Sequence, residues 1–188
     1  VVSPLHAHLH APFHTKMARL DFTEDSQFNN LLLSEAADLA LSTVELLAGA
    51  TRVDIDVRDR RKAAVDLLCW DEKHVGLLTQ AAEQRGIDLV EDSLVPARVG
   101  GTDGWASLAN TRIWEGEGLA ILSSDAIAEF TPLLDPAFEA GRVRRFAALA
   151  ETLSGEAPDP DDGEVAAWVE AIAKGLKGAS LKIWNTFL

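Results

Sequence analysis

With 188 residues and a single cysteine, the chain is long enough to bury about 70% of its unfolded surface, and no intrachain disulfide can assist it. Its 30 acidic and 17 basic residues give a formal net charge of −13, which opposes nucleic-acid backbones and suits solubility and basic protein partners. No run approaches about 18 apolar residues, so no transmembrane helix is expected, and the lone cysteine fits a reducing, cytoplasmic setting.

The first 22 residues, VVSPLHAHLHAPFHTKMARLDF, show no basic-then-apolar leader pattern. Val1 to His10 reads as extended, with Pro4 and Pro12 confining it to an edge or an end. Lys16 to Phe22 reads as a second short strand. Ser26 or Asn29 is placed to cap a helix over Asn30–Ala48, whose apolar face is Leu32, Leu33, Ala36, Ala37, Leu39, Ala40, Val44 and Leu47. Glu35, Asp38, Ser42 and Glu45 fall on the other side, and Gly49 sits where a C-terminal glycine cap belongs.

Thr51 to Trp70 is the expected centre of the sheet. Val53, Ile55 and Val57 alternate with Asp54, Asp56 and Arg58, a period of two with the apolar set facing inward. Asp59 to Lys62 interrupts with charge, and Ala64 to Cys69 is apolar again, so the stretch predicts a β-hairpin. Asp71 to Arg85 follows as a helix, capped by Asp71, striped by Val75, Leu78 and Ala82, and ended by Gly86. Ile87 to Val95 predicts a strand closed by Pro96, and Gly100, Gly101 and Gly104 a flexible stretch. Thr111–Trp114 and Leu119–Leu122 form a second hairpin candidate.

Pro136–Leu153 and Glu164–Leu176 are helical patterns separated by the acidic loop GEAPDPDDG, where Asp161 or Asp162 favours the second helix's dipole. The apolar tail LKIWNTFL should dock on its own core or on another subunit. The expected fold is therefore α+β: a small, mainly antiparallel sheet built on the 51–70 hairpin, with packed helices. Residues 1–134 form the α+β domain, and residues 135–188 a helical C-terminal part on the same core.

Residues able to carry chemistry are few. His6, His8, His10 and His14 place four of the five histidines in one short stretch. On a strand, same-face neighbours lie about 6.5–7 Å apart, so two imidazoles at i and i+2 can converge on one divalent transition metal such as zinc, copper, nickel or iron. Asp54 and Asp56 share one face, either solvated or cation-binding. Cys69 lies in an apolar run and reads as an inert core thiol. Arg142, Arg144 and Arg145 form a dense basic spot that nearby acids should balance, and Trp105 and Trp114 read as buried rather than pocket-lining. No phosphate-binding glycine loop, dinucleotide fingerprint, Gly-x-Ser-x-Gly elbow or zinc cysteine pair is present, so no catalytic residue is assigned.

Two short resemblances exist. SPLHAHLHAPF resembles the first-strand His-x-His of amidohydrolase metal enzymes, over about a dozen residues; the barrel those enzymes use needs more than about 200 residues. AGATRVDIDV, at Ala48 to Val57, resembles the helix-to-strand entry of the ATPase fold shared by MutL-type repair proteins and sensor kinases. The preceding helix lacks that family's metal-binding Asn beyond Asn30, and no Asp-x-Gly-x-Gly follows. Neither family is adopted. The leading expectation is a non-enzymatic, acidic interaction or regulatory domain that docks a protein partner or a second copy of itself, with no nucleic-acid or membrane partner. The alternative is a divalent-metal-dependent enzyme or metal-binding protein using the histidines.

Overall fold

Ser26 begins the first helix by accepting the Asn29 N–H at 3.3 Å, one of the side-chain caps expected there. The computed structural model describes residues 5–8, 11, 26–49, 54–114 and 127–175. Helix α1 (Gln27–Gly49) is about 35 Å long and buries Leu33, Ala37, Ala40, Leu41, Val44 and Leu47 along one face. It packs against α2 (Val57–Leu68) and α3 (Val75–Gln84), and also touches the sheet.

Helix α2 overturns the predicted 51–70 hairpin. Its buried residues Arg61, Ala64, Val65 and Leu68 recur at i, i+3, i+4 and i+7, the spacing of a helix face. Asp56 starts it, accepting N–H groups from Arg58 at 2.9 Å and Asp59 at 3.4 Å. The alternating stretch ahead of it is not an inward strand face: Ile55 is 50% and Val57 54% exposed. Val53 lies outside the described residues. Five residues of alternation were outweighed by twelve whose side chains favour a capped helix.

Asp71 does not cap the helix as expected: it accepts the His74 N–H at 2.9 Å and closes a turn, and α3 begins at Val75 with His74 as its N-cap. Val75, Leu78, Ala81 and Ala82 are buried, and Gly86, at φ +70°, ends the helix region. Residues 87–92 are turns rather than the predicted strand. Asp88 accepts N–H groups from Val90 and Glu91, and Asp92 accepts that of Asp88. Such side-chain-to-backbone bonds compete with a strand ladder.

The sheet instead consists of β1 (Leu94–Val99), β2 (Thr102–Ser107) and β3 (Leu133–Leu134), in the order β2-β1-β3 and antiparallel throughout. Gly100 and Gly101, at φ +56° and +72°, join β1 to β2 as a two-residue turn of the I′ kind; the glycines expected to be flexible make the sharpest corner of the sheet. Pro96 lies within β1 rather than closing a strand before it. It faces Trp105 in a wide pair of the hairpin, where no N–H is needed toward β2, and its carbonyl accepts the Asp135 N–H just past β3.

Helix α4 (Ala140–Ser154) starts later than predicted because Asp135 holds the intervening residues in a turn, accepting the Ala137 N–H. Helix α5 (Asp162–Gly175) is started by Asp161 and Glu164, each of which accepts the other's backbone N–H. Phe146, Leu149 and Ala150 of α4 join the main core with α1, α2 and α3. A smaller cluster of Ile127, Ala128, Leu133 and Trp168 seats α5, with Trp114 edge-on to Trp168 at 6.1 Å.

The described residues thus form an α+β fold of five helices, a small antiparallel sheet and a helical C-terminal part. None of the described helices is long and apolar enough to cross a membrane. Arg112, in the first half of the second hairpin candidate, bridges Leu133 in parallel. Leu119–Leu122, the strand at Lys16–Phe22 and the C-terminal tail lie outside the described residues.

Candidate functional site

The most buried charges hold the fold together. Arg61, 3% exposed, donates from Nε to Asp135 at 2.7 Å and from its two terminal nitrogens to the carbonyls of Gly104 and Ala97. One side chain of α2 thereby binds both long strands and the end of β3. Five residues further on, Asp66 takes both Arg142 Nε and Nη2, at 3.0 and 2.7 Å, and Arg145 at 2.8 Å. Burial alone would raise the Asp66 pKa, but the hydrogen bonds and charges of Arg142 and Arg145 outweigh it and hold the carboxyl below its ordinary value. Arg142 also pairs with Glu139 at 3.0 Å and lies over the Phe138 ring. The expected balance of the basic spot is met for Arg142 and Arg145; Arg144 donates to the Ala140 carbonyl instead.

Cys69 is buried beside these groups, and burial pushes its thiol up to about 12, as expected of an inert core cysteine. The supposed cation pair is dissolved: Asp56 caps α2, and Asp54 is an exposed bend residue ahead of it. Trp105 is partly buried against the main core.

Of the four candidate metal ligands, His6 and His8 are described and His10 and His14 are not. Leu5 is buried and pairs with Trp70, Ala7 is half-buried against the core, and His6 and His8 are both exposed. Leu5 makes an isolated bridge and His6 and Ala7 lie in a bend, so the described part of this stretch is not the extended strand expected of it. Among the described residues, no three His, Cys, Asp or Glu side chains stand together as a metal-binding group. His74 is committed to Asp71, its Nδ1 lying 2.6 Å from the carboxylate.

A cleft of about 570 Å³ opens where the 108–112 turn meets the α4–α5 loop. Arg112 projects there among Glu91, Glu156, Asp159, Asp161 and Glu164. Four of its polar residues are engaged in structure: Arg112 holds Glu164 and the Ala109 carbonyl, Thr111 holds the Ser107 carbonyl, and Asp161 with Glu164 caps α5. No histidine or cysteine lines it, and no nucleophile is paired with a base.

The other unusual surface is the outer side of α1. Phe28, Leu31, Leu39 and Leu46 are 40%, 57%, 67% and 64% exposed. At 100° per residue, Phe28, Leu39 and Leu46 fall on one line, with Leu31 beside it and Glu35 within it. The opposite side of the same helix is core, and a polar flank of Asp38, Ser42 and Glu45 runs between the two. Leu39, assigned to the inner face from sequence, is the most exposed of the four. The clue available in sequence was the count of leucines: α1 carries more of them than one face can hold.

Along one flank of this row Arg85, from the end of α3, reaches Asp38 at 3.1 Å, Ser42 at 2.6 Å and Glu45 at 2.6 Å. Comparison of the chain with models of protein families, with curated proteins and with solved structures found no match in any of the three.

Proposed function

We propose that this protein is a non-enzymatic docking domain whose outer α1 face receives another polypeptide chain. The observation that carries this reading is the exposed set of Leu31, Leu39 and Leu46 on a helix whose other side is fully used by the core. Scattered exposed leucines are ordinary, but three leucines on one side of a helix over about 22 Å make an apolar surface of the kind that marks interfaces. The acidic balance of the chain keeps such a patch in solution until it is covered.

Replacing Leu39 and Leu46 together by Gln tests this. Neither side chain supports the core, so the melting temperature should move by less than about 2 °C. A photoreactive residue placed at Leu31 should crosslink to one defined polypeptide, and the Leu39→Gln/Leu46→Gln pair should abolish that product. A crosslinking pattern indifferent to the double substitution removes the docking reading.

The alternation of buried Leu5 with exposed His6 and His8 favours a second reading, a divalent transition metal held by His6 and His8 with His10 and His14. Imidazoles bind metal when neutral, so affinity should fall as pH drops through about 6.5. Calorimetry with zinc and nickel on untagged protein should then show binding that His8→Ala weakens at least about tenfold. Binding that His8→Ala leaves untouched ends this alternative.

A further inference from the structure

We propose that the pocket between the last turns of α1 and the segment 87–94 binds a small organic amine, a hydrocarbon body carrying one cationic nitrogen. The pocket holds about 210 Å³. Leu41, Val44 and Ala48 form its α1 wall, and Ile87 and Leu94 complete the hydrocarbon lining. An apolar cavity of about 150 Å³ takes a benzene-sized molecule, so this one has room for a ring and a short substituent. None of Leu31, Leu39 and Leu46 lines it, so the site is independent of the docking surface.

Ser93 is the polar residue built into that lining. It is 8% exposed, and its carbonyl accepts the Leu108 N–H at 3.0 Å. Among the described residues its hydroxyl makes no hydrogen bond. A buried hydroxyl ordinarily has a partner, because leaving one unpaired costs free energy. A ligand N–H in the pocket supplies that partner.

The charge at the pocket selects which ligand. Glu45 and Asp92 line it, and no Lys or Arg does. Glu45 is already paired with Arg85 at 2.6 Å. Asp92 accepts the Asp88 N–H on Oδ2 at 2.8 Å, and among the described residues it forms no ion pair. The charge left uncompensated, one residue from Ser93, is therefore negative. An ammonium group is a donor only, and both Ser93 Oγ and the Asp92 carboxylate accept. A carboxylate ligand is repelled from the same place.

The test uses benzylamine, benzyl alcohol and benzoate, probes of similar size that differ in charge. Each is titrated into the isotope-labelled full chain at about 50 mM salt and followed by amide NMR. Benzylamine should shift the Val44, Ala48 and Ser93 amides saturably, with a Kd on the order of 1 mM. It should bind at least about threefold tighter than benzyl alcohol, and benzoate should not bind. Ser93→Ala should weaken benzylamine about fivefold. Asp92→Asn should weaken it about threefold or more while leaving benzyl alcohol unchanged. Ala48→Leu, which fills the pocket and alters no charge, should abolish the shifts; if that variant fails to fold, Ser93→Ala decides.

Absence of saturable shifts at Val44, Ala48 and Ser93 with every probe overturns the proposal. So does benzylamine binding that Ser93→Ala and Ala48→Leu leave untouched, since that is attraction to the acidic surface at large. Benzyl alcohol binding as tightly as benzylamine, or indifference to Asp92→Asn, overturns the assignment of an amine.

Discussion

Asp66 shows how much can hang on one carboxylate. It pairs with two guanidinium groups from α4, and its own side chain is 17% exposed. Removing the charge leaves the buried Arg142 guanidinium with Glu139 alone, so Asp66→Asn should cost about 3–5 kcal/mol at pH 7. The sign of the pH dependence follows from the lowered pKa. An unfolded Asp titrates near 3.9, so the stabilisation is complete above that value and is lost as pH falls through the lower folded value. Urea titrations of wild type and Asp66→Asn should therefore differ most at pH 7 and converge as pH falls through the lowered pKa of Asp66. A gap that stays constant with pH would mean that the Asn variant loses packing and not charge. Nothing in the sequence singled out Asp66 or Arg61, because their partners lie more than 70 residues away, at Asp135, Arg142 and Arg145. The basic spot was legible as a cluster; its counter-ion was not.

At the scale of elements, local chemistry was legible where a cap or a turn residue named its own structure. Ser26, Gly86 and Asp161 mark element ends in the sequence and mark them in the fold. The misread stretch was Thr51 to Trp70, where β-like alternation sits immediately before a capped helix, and Asp56 belongs to both patterns. Two substitutions separate these alternatives. Asp56→Ala should cost about 1 kcal/mol as a lost cap, and Ile55→Ala should stay within about 0.5, the reverse of what an inward strand demands. The β1–β2 corner offers a companion measurement. Gly101 has open space around a Cβ position but a φ of +72°, so Gly101→Ala should cost about 1–2 kcal/mol in urea titration and Gly101→Asn distinctly less.

Across the whole molecule, the α+β class and the helical C-terminal part follow from composition and periodicity, whereas the candidate surface does not. Leu39 and Leu33 are the same residue type on one helix, and only tertiary packing decides that Leu33 is enclosed and Leu39 is bare. The buried thiol supplies a way to watch this packing come apart. Cys69 is the sole cysteine of the chain, so an alkylating reagent reports on one position without ambiguity. At pH 8 a thiol that burial pushes up to about 12 stays protonated, and the core excludes the reagent besides. Modification must then wait for an opening of the α2 region, and its rate becomes a clock for that opening under native conditions. Mass spectrometry of iodoacetamide-treated protein should find Leu39→Gln/Leu46→Gln keeping wild-type time and Asp66→Asn running at least about 100-fold faster. Equal rates for all three would place Cys69 in reach of solvent through a local fluctuation that leaves the Asp66 cluster shut.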